Sequence, residues 1–126
     1  MSEEITDLCL IQLSKALQQA ALPAERQIAR LEGFDASFEV ADDFGHWCGW
    51  VLDSKDVELT DEQRSRLAAL DARLGEMSGE HNAKLWTDDA LRSRPEWEEV
   101  RRDAREILGL FEWPIEDEGD PAQEEA

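Results

Sequence analysis

Apolar residues recur every three or four positions in several separate segments of this chain, and this spacing constrains the fold more than any other feature. In residues 2–21, for example, Leu13 and Leu17 belong to a run of apolar side chains on one helical face. An α-helix turns once in about 3.6 residues, so such spacing gives each helix one side to bury. Similar patterns cover residues 24–32, 60–77 and 94–111. The sequence therefore predicts helices that pack together by their apolar faces.

Residues that begin or end helices separate these segments. Pro23 suits the first turn of a second helix, and Gly33 is placed to end it. Residues 60–63, Thr-Asp-Glu-Gln, form a predicted capping box, in which the first and last residues satisfy each other's backbone N–H groups. Residues 93–96, Ser-Arg-Pro-Glu, predict a second box. Pro114 then stops any continuation of the last helix.

The segment 35–53 fits two kinds of structure. Phe44, Cys48 and Val51 keep the helical spacing, and Asp35 is a suitable N-cap. The Trp, Val and Phe content instead favours a strand, and the Asp-Asp-Phe-Gly sequence within it suits a hairpin turn. We predict a helix here, and so an all-α fold, an irregular bundle of five or six helices. The alternative is an α+β fold with a hairpin at 36–52.

Length and composition predict one domain followed by a tail. The chain has 126 residues, a length typical of a single domain that needs no disulfide or metal to fold. Residues 1–115 hold the apolar segments and are predicted to form this helical domain. Residues 116–126 contain only Glu, Asp, Gly, Pro, Gln and Ala. Because they have too little apolar surface to offset the entropy of ordering, we expect a disordered acidic tail.

The net charge of -18, from 31 acidic and 13 basic residues, argues against several kinds of partner. Direct contact with nucleic-acid phosphates needs a basic surface, and an anionic membrane would repel this chain. The charge favours a basic protein partner through electrostatic steering, although it also simply keeps a protein soluble. The N-terminus lacks the basic and apolar regions of a signal peptide, and Cys9 and Cys48 are far apart. We therefore expect a cytoplasmic protein with unpaired thiols.

Common catalytic and cofactor motifs are absent from the sequence. It contains no GxxxxGK[ST] or GxGxxG phosphate loop, no HExxH or CxxC metal motif, and no GxSxG nucleophile motif. Asp42 and His46 are spaced like two metal ligands on a helix, but two ligands are too few for zinc. We accordingly predict no cofactor, no metal and no catalytic residue, and a non-enzymatic role.

One group of residues in the segment 35–53 is the candidate binding site. If the segment is helical, three carboxylates, an imidazole and an indole lie together on the face opposite the apolar residues. We call this group the acidic face, and it consists of Glu39, Asp42, Asp43, His46 and Trp50. Such a face could hold an arginine or lysine of a partner by ion pairing and cation–π contact. The alternative is that this helix is central and buried on all sides, with Trp50 in the core.

Two glycines within the same segment need a reason. Gly45 and Gly49 lie four residues apart, and each costs a helix about 1 kcal/mol relative to alanine. Close approach of another helix is the commonest reason, and the backbone of a ligand or partner is a second. If the segment is not helical, the glycines instead mark a turn or a bulge.

These features favour a small protein-binding inhibitor that neutralises a basic partner, such as a toxin or nuclease, as immunity proteins and antitoxins do. A mimic of DNA that inhibits a DNA-binding protein is one alternative, and it would need carboxylates spaced like phosphates. An adaptor or assembly subunit is another, in which the face carrying Gly45 and Gly49 packs on a copy of itself as a homodimer. A fourth is an enzyme that uses carboxylates and His46 as acid and base.

Overall fold

The computed structural model describes residues 2–115, and it is helical almost throughout. Six α-helices follow one another along the chain: α1 (Ser2–Ala21), α2 (Ala24–Arg30), α3 (Ala36–Asp53), α4 (Asp61–Glu76), α5 (Asp88–Ser93) and α6 (Pro95–Leu110). A 3₁₀ helix (Glu80–Leu85) joins α4 to α5. Because these described residues include no β-strand, the all-α prediction is confirmed and the hairpin alternative is wrong. The predicted disordered tail, residues 116–126, lies outside the described part of the chain.

Helix α3 forms from the segment whose structure the sequence left open. Asp35 is its N-cap, and the Asp35 side chain accepts a hydrogen bond from the backbone N–H of Phe38 at 3.4 Å. Its buried residues recur at intervals of three and four: Val40, Phe44, Cys48 and Val51. In a strand Val40, Phe44 and Cys48 would share one side and Val51 would face the other, whereas on a helix all four lie on one side.

The four long helices pack around a common core. Helix α1 packs against α3 and α6, and α4 also packs against α3 and α6, which puts α3 and α6 at diagonal corners. At one end of the bundle, the Gln63 side-chain amide donates to the backbone oxygen of Leu110 at 3.2 Å. The start of α4 therefore meets the end of α6, and these two helices run antiparallel.

The short helices lie at the other end of the bundle. Helices α2 and α5 contact each other and α3, near the end of α1 and the start of α6. Between α2 and α3 the chain turns through Gly33, whose φ of 90° is in the left-handed region that favours glycine. The amide nitrogen of Phe34 completes the turn by donating to the oxygen of Leu31 at 2.9 Å. Helix α2 itself ends at Arg30 with Leu31 as its C-cap, so the predicted cap position is corrected and Gly33 lies in the turn that follows.

A buried tryptophan ties the bundle to the segment that precedes α5. Trp97 of α6 is fully buried, and its Nε1 donates to the backbone oxygen of Leu85 at 2.7 Å. The ring of Trp86 packs edge-on against it, with ring centroids 5.2 Å apart. The indole N–H of Trp86 donates to the oxygen of Met77 at 2.8 Å. The connection between α4 and α5 is therefore held by hydrogen bonds as well as by apolar burial.

The capping boxes differ in outcome. At the start of α4 both hydrogen bonds of the predicted box are present, between Thr60 and Gln63, at 3.0 and 2.9 Å. At the start of α6 the predicted second box is wrong. The Ser93 hydroxyl instead donates to the backbone oxygen of Asp89 inside α5, and Arg94 occupies the N-cap without a side-chain hydrogen bond. Helix α5 thus uses the serine that the pattern assigned to α6.

Candidate functional site

The acidic face lies on the outward side of α3. Asp42, His46 and Trp50 are exposed, and Glu39 and Asp43 are half-buried. Helix α3 carries four carboxylates and no lysine or arginine. Because the core residues of α3 occupy the opposite side, the five residues of the acidic face share one continuous strip, as the helical spacing predicts. No neighbouring cation within α3 neutralises this strip.

Trp50 is on the surface of the bundle. Its side chain is 42% exposed, whereas Trp97 of the core has no exposed area. The alternative in which α3 is buried on all sides with Trp50 in the core is therefore wrong. An exposed indole leaves apolar surface in contact with water, which is less favourable than burying it. A polar residue at this position would carry no such cost. Tryptophan is also the side chain most enriched at the energetic centres of protein interfaces.

The residues on the edge of the acidic face nearest α1 are held in position. The Gln19 side-chain amide donates to Oδ2 of Asp43 at 3.2 Å. Asp43 and Trp47 line a small cleft of about 160 Å³ between α1 and α3. The His46 ring packs edge-on against Trp47, with ring centroids 4.6 Å apart and an interplanar angle of 88°. These contacts restrict the rotamers of the acidic face before any partner arrives.

A second surface feature, which we call the α3/α4 groove, adjoins the acidic face. It has a volume of about 520 Å³. Its lining comes from α3, from α4 and from the segment after α4: Phe38, Ala41, Asp42, Asp71, Leu74, Gly75, Ser78, Gly79 and Trp86. Apolar side chains make up much of the wall, and Phe38 is 53% exposed at the groove. The two carboxylates, of Asp42 and Asp71, are the only ionisable groups in this lining.

The chemistry of the α3/α4 groove suits a cationic side chain with an apolar stem. The methylenes of a lysine or arginine bury favourably against apolar walls, and its charged end pairs with carboxylates. Asp42 belongs both to the groove and to the acidic face, so the two form one surface. Sequence reasoning missed Phe38 and Asp71 as site residues. The sequence identified Phe38 as an apolar residue of α3. Phe38 and Asp71 line the same groove only because α3 lies beside α4.

The two glycines of α3 do not mark a close approach of helices within the described chain. A Cβ built at Gly45 would meet only Oδ1 of Asp71, at an ordinary 3.8 Å. A Cβ built at Gly49 would meet no atom within 4 Å. The predicted intramolecular close approach is therefore corrected, because the neighbour of Gly45 is a carboxylate of α4 and Gly49 faces open space. Approach by a partner or a second copy stays a prediction.

The Cys48 thiol lies behind this surface and is chemically quiet. It is fully buried, and its Sγ donates to the backbone oxygen of Leu67 at 3.7 Å. Burial in apolar surroundings, together with the negative charge of Asp71, raises the pKa of Cys48 to about 12. The thiolate is the nucleophilic form of cysteine, and a pKa this high leaves almost no thiolate at neutral pH. We therefore assign Cys48 to the packing of the core.

Comparisons with protein-family models, with curated proteins and with solved structures give no match to this chain. Among residues 7–115, whose side chains the structure describes, His, Cys, Asp and Glu form no group of three or more arranged to hold a metal ion. In the same part of the chain, no helix has both the length and the apolar character required to cross a bilayer.

Proposed function

We propose that this protein is a non-catalytic inhibitor that binds a basic protein partner through the acidic face and the α3/α4 groove, as immunity proteins and antitoxins do. One observation carries the proposal. A strip of α3 without lysine or arginine continues into a groove whose apolar walls hold two carboxylates. This combination of charge, apolar surface and an exposed tryptophan supports recognition of an arginine or lysine side chain.

The two parts of the surface are assigned different roles in binding. Asp42 and Asp71 face the groove, where water is excluded when a partner side chain enters, so their ion pairs set mainly the dissociation rate. Trp50 provides apolar contact area at the C-terminal end of the acidic face. Glu39 and Asp43 lie at the half-buried edge, and together with the net charge they attract a basic partner at long range. Association is therefore expected to slow as salt increases.

The test begins with capture of partners from the native host at low salt. The wild-type chain is compared with the Asp42→Asn/Asp71→Asn variant and with a charge-matched control, Asp56→Asn/Glu58→Gln, in the loop between α3 and α4. Calorimetric titration of the captured protein then gives the affinities. We expect a basic partner, retained by the control and weakened at least about 30-fold by Trp50→Ala, the effect of losing a binding hot spot.

Three outcomes would contradict the proposal. One is that no basic protein is captured even at low salt. Another is that the groove variant and its control weaken binding equally, because the loss of affinity would then follow from net charge and not from the groove. The third is turnover of a captured partner or small molecule that depends on His46. A captured DNA-binding protein that is displaced by its DNA would favour the DNA-mimic alternative instead.

A further inference from the structure

A groove lined by arginines lies on a different side of this strongly acidic molecule. It has a volume of about 660 Å³ and is bounded by the start of α2, by α5 and by α6. We call it the arginine groove, and its cationic residues are Arg92, Arg101, Arg102 and Arg105. The arginine groove shares no lining residue with the α3/α4 groove or with the acidic face. It is independent of the proposed inhibitor function.

Two of these arginines are anchored by neutral groups. Arg101 donates from Nη1 to the backbone oxygen of Leu91 at 3.1 Å and to Oε1 of the buried Gln27 at 3.5 Å. Arg105 donates from Nε to the backbone oxygen of Ala21 at 3.2 Å. The carbonyl and amide oxygens that contact Arg101 orient its guanidinium without cancelling its charge. Both side chains are therefore positioned at the wall of the groove before a ligand binds.

The charges within the arginine groove are unequally compensated. Glu25 pairs with Arg92 at 2.7 Å, and Glu99 is engaged by Arg73 of α4 at 2.5 Å. Among the side chains of residues 7–115, by contrast, Arg102 has no hydrogen-bond or ion-pair partner. Arg101 has no carboxylate within ion-pair distance in the same part of the chain, and Glu98 is the acid acting on it from further away. At least two guanidinium charges thus face the groove without a paired anion.

The electrostatic environment of Arg101 also favours binding of an anion. Burial lowers the pKa of Arg101, Glu98 opposes that change, and the neighbouring charge of Arg105 adds to it. The positive form of Arg101 is thus less stable than in water, although it stays charged at neutral pH. A bound anion would restore the favourable interactions that the guanidinium lost on burial.

We propose that the arginine groove is a binding site for the phosphate group of a small phosphomonoester. Arg101, Arg102 and Arg105 lie within little more than one turn of α6, so their guanidiniums can converge on one tetrahedral group. A phosphomonoester carries close to two negative charges at neutral pH, which matches two uncompensated arginines better than a monocarboxylate does. The groove volume is in the range typical of small-molecule sites, about 300–1,000 Å³.

The net charge of the protein makes this a site for a small ligand. A nucleic acid or other extended polyanion would meet the acidic surfaces around the groove. A small phosphomonoester interacts mainly with charges inside one Debye length, about 8 Å at physiological salt. The local balance around Arg101 and Arg102 therefore decides its binding.

The test is a nuclear magnetic resonance titration of the full chain at constant ionic strength with inorganic phosphate, phenyl phosphate and acetate. We expect saturable shifts at the side-chain Nε signals of Arg101, Arg102 and Arg105 with both phosphate probes and not with acetate. Tighter binding of phenyl phosphate than of inorganic phosphate would identify the ester as the ligand form. Binding should weaken from pH 7.5 to pH 5.5, as the dianion is protonated near pH 6.

Matched variants separate this site from a general effect of charge. Arg102→Gln removes a side chain with no partner in the described chain and should weaken phosphate binding about tenfold without altering stability. Lys55→Gln makes the same change in net charge in the loop between α3 and α4 and should leave binding unchanged. Glu98→Gln should tighten binding, because it removes a carboxylate that lines the groove and interacts with Arg101. Unsaturable shifts, equal binding of acetate, or equal loss in the Lys55 variant would overturn the proposal.

Discussion

At the scale of single residues, the degree of burial distinguishes side chains that serve the core from those available to a partner. Cys48 and Trp97 have no exposed area and belong to the core, whereas Trp50 keeps a large part of its indole on the surface. The helical spacing placed Cys48 on the apolar side of α3 and Trp50 on the opposite side, because the side of a helix on which a residue lies depends on its place in the sequence. Whether that opposite side is exposed did not follow from the spacing. The partners of each residue do not follow from that spacing. Neither the contact of Cys48 with Leu67 nor the charge of Asp71 nearby was predictable.

The Cys48 thiol should make stability depend on alkaline pH. Its pKa is about 12 in the folded protein and near the ordinary value of 9.0 when unfolded, so the folded state holds the proton more tightly. This contribution is fully present below pH 9 and is lost between pH 9 and 12, at up to about 1.4 kcal/mol per pH unit. Urea unfolding of the wild type and of Cys48→Ala across this range measures it. An equal pH dependence in both proteins would contradict the assignment.

At the scale of helices, local signals predicted where most elements begin and end. The N-caps Asp35 and Thr60 each accept a backbone hydrogen bond, as the sequence predicts, and Thr87 does the same at the start of α5. The error at Ser93 has a local cause as well. Two helices meet there with almost no linker, and the hydroxyl bonds backward within α5 rather than forward to α6. The sequence pattern at such a junction cannot distinguish a serine that bonds within the preceding helix from one that caps the next helix.

The glycine in the open part of α3 gives a prediction for this element. Gly49→Ala should stabilise the fold by about 0.5–1 kcal/mol, because a helical alanine loses less chain entropy and a Cβ there meets no atom within 4 Å. Gly109→Ala in α6 is the matched control, since its position is equally open and lies outside the acidic face and the α3/α4 groove. Chemical denaturation measures both. If Gly49→Ala alone weakens partner capture while both variants gain stability, Gly49 is a point of close approach for the partner.

At the scale of the whole molecule, charge is distributed unevenly. Residues 1–60 contain 12 acids and 4 bases, a net charge of -8, whereas residues 61–110 contain 12 acids and 9 bases, a net charge of -3. The second part contains Arg66, Arg73 and Arg92, which form ion pairs on the surface. It also contains the four arginines of the arginine groove. Their clustering is not apparent from the sequence, because acids and bases are nearly equal in number in this part of the chain. The spacing of Arg101, Arg102 and Arg105 was the signal that could have identified the groove.

The excess negative charge should make the fold more stable at high salt. Raising NaCl from 0.1 to 1 M shortens the Debye length from about 10 to 3 Å and screens the repulsion among carboxylates, while exposed ion pairs contribute little at either concentration. The urea midpoint should therefore rise with salt at neutral pH. Near the sequence pI of about 4.3, where net charge vanishes, the same salt should have a smaller effect. A midpoint that falls with salt at neutral pH would show that ion pairs dominate.

The sequence by itself determined most of the helices and their buried faces, because each follows from spacing and capping within one segment. It left open the helical state of residues 35–53 and the exposure of the acidic face. Only the tertiary structure decided that α3 lies beside α4 and that α2, α5 and α6 meet at one end. The α3/α4 groove and the arginine groove both depend on those pairings. Their residues are far apart in sequence, as Phe38 and Trp86 or Glu25 and Arg92 illustrate. Such contacts arise from how several apolar faces fill one core, which no single segment specifies.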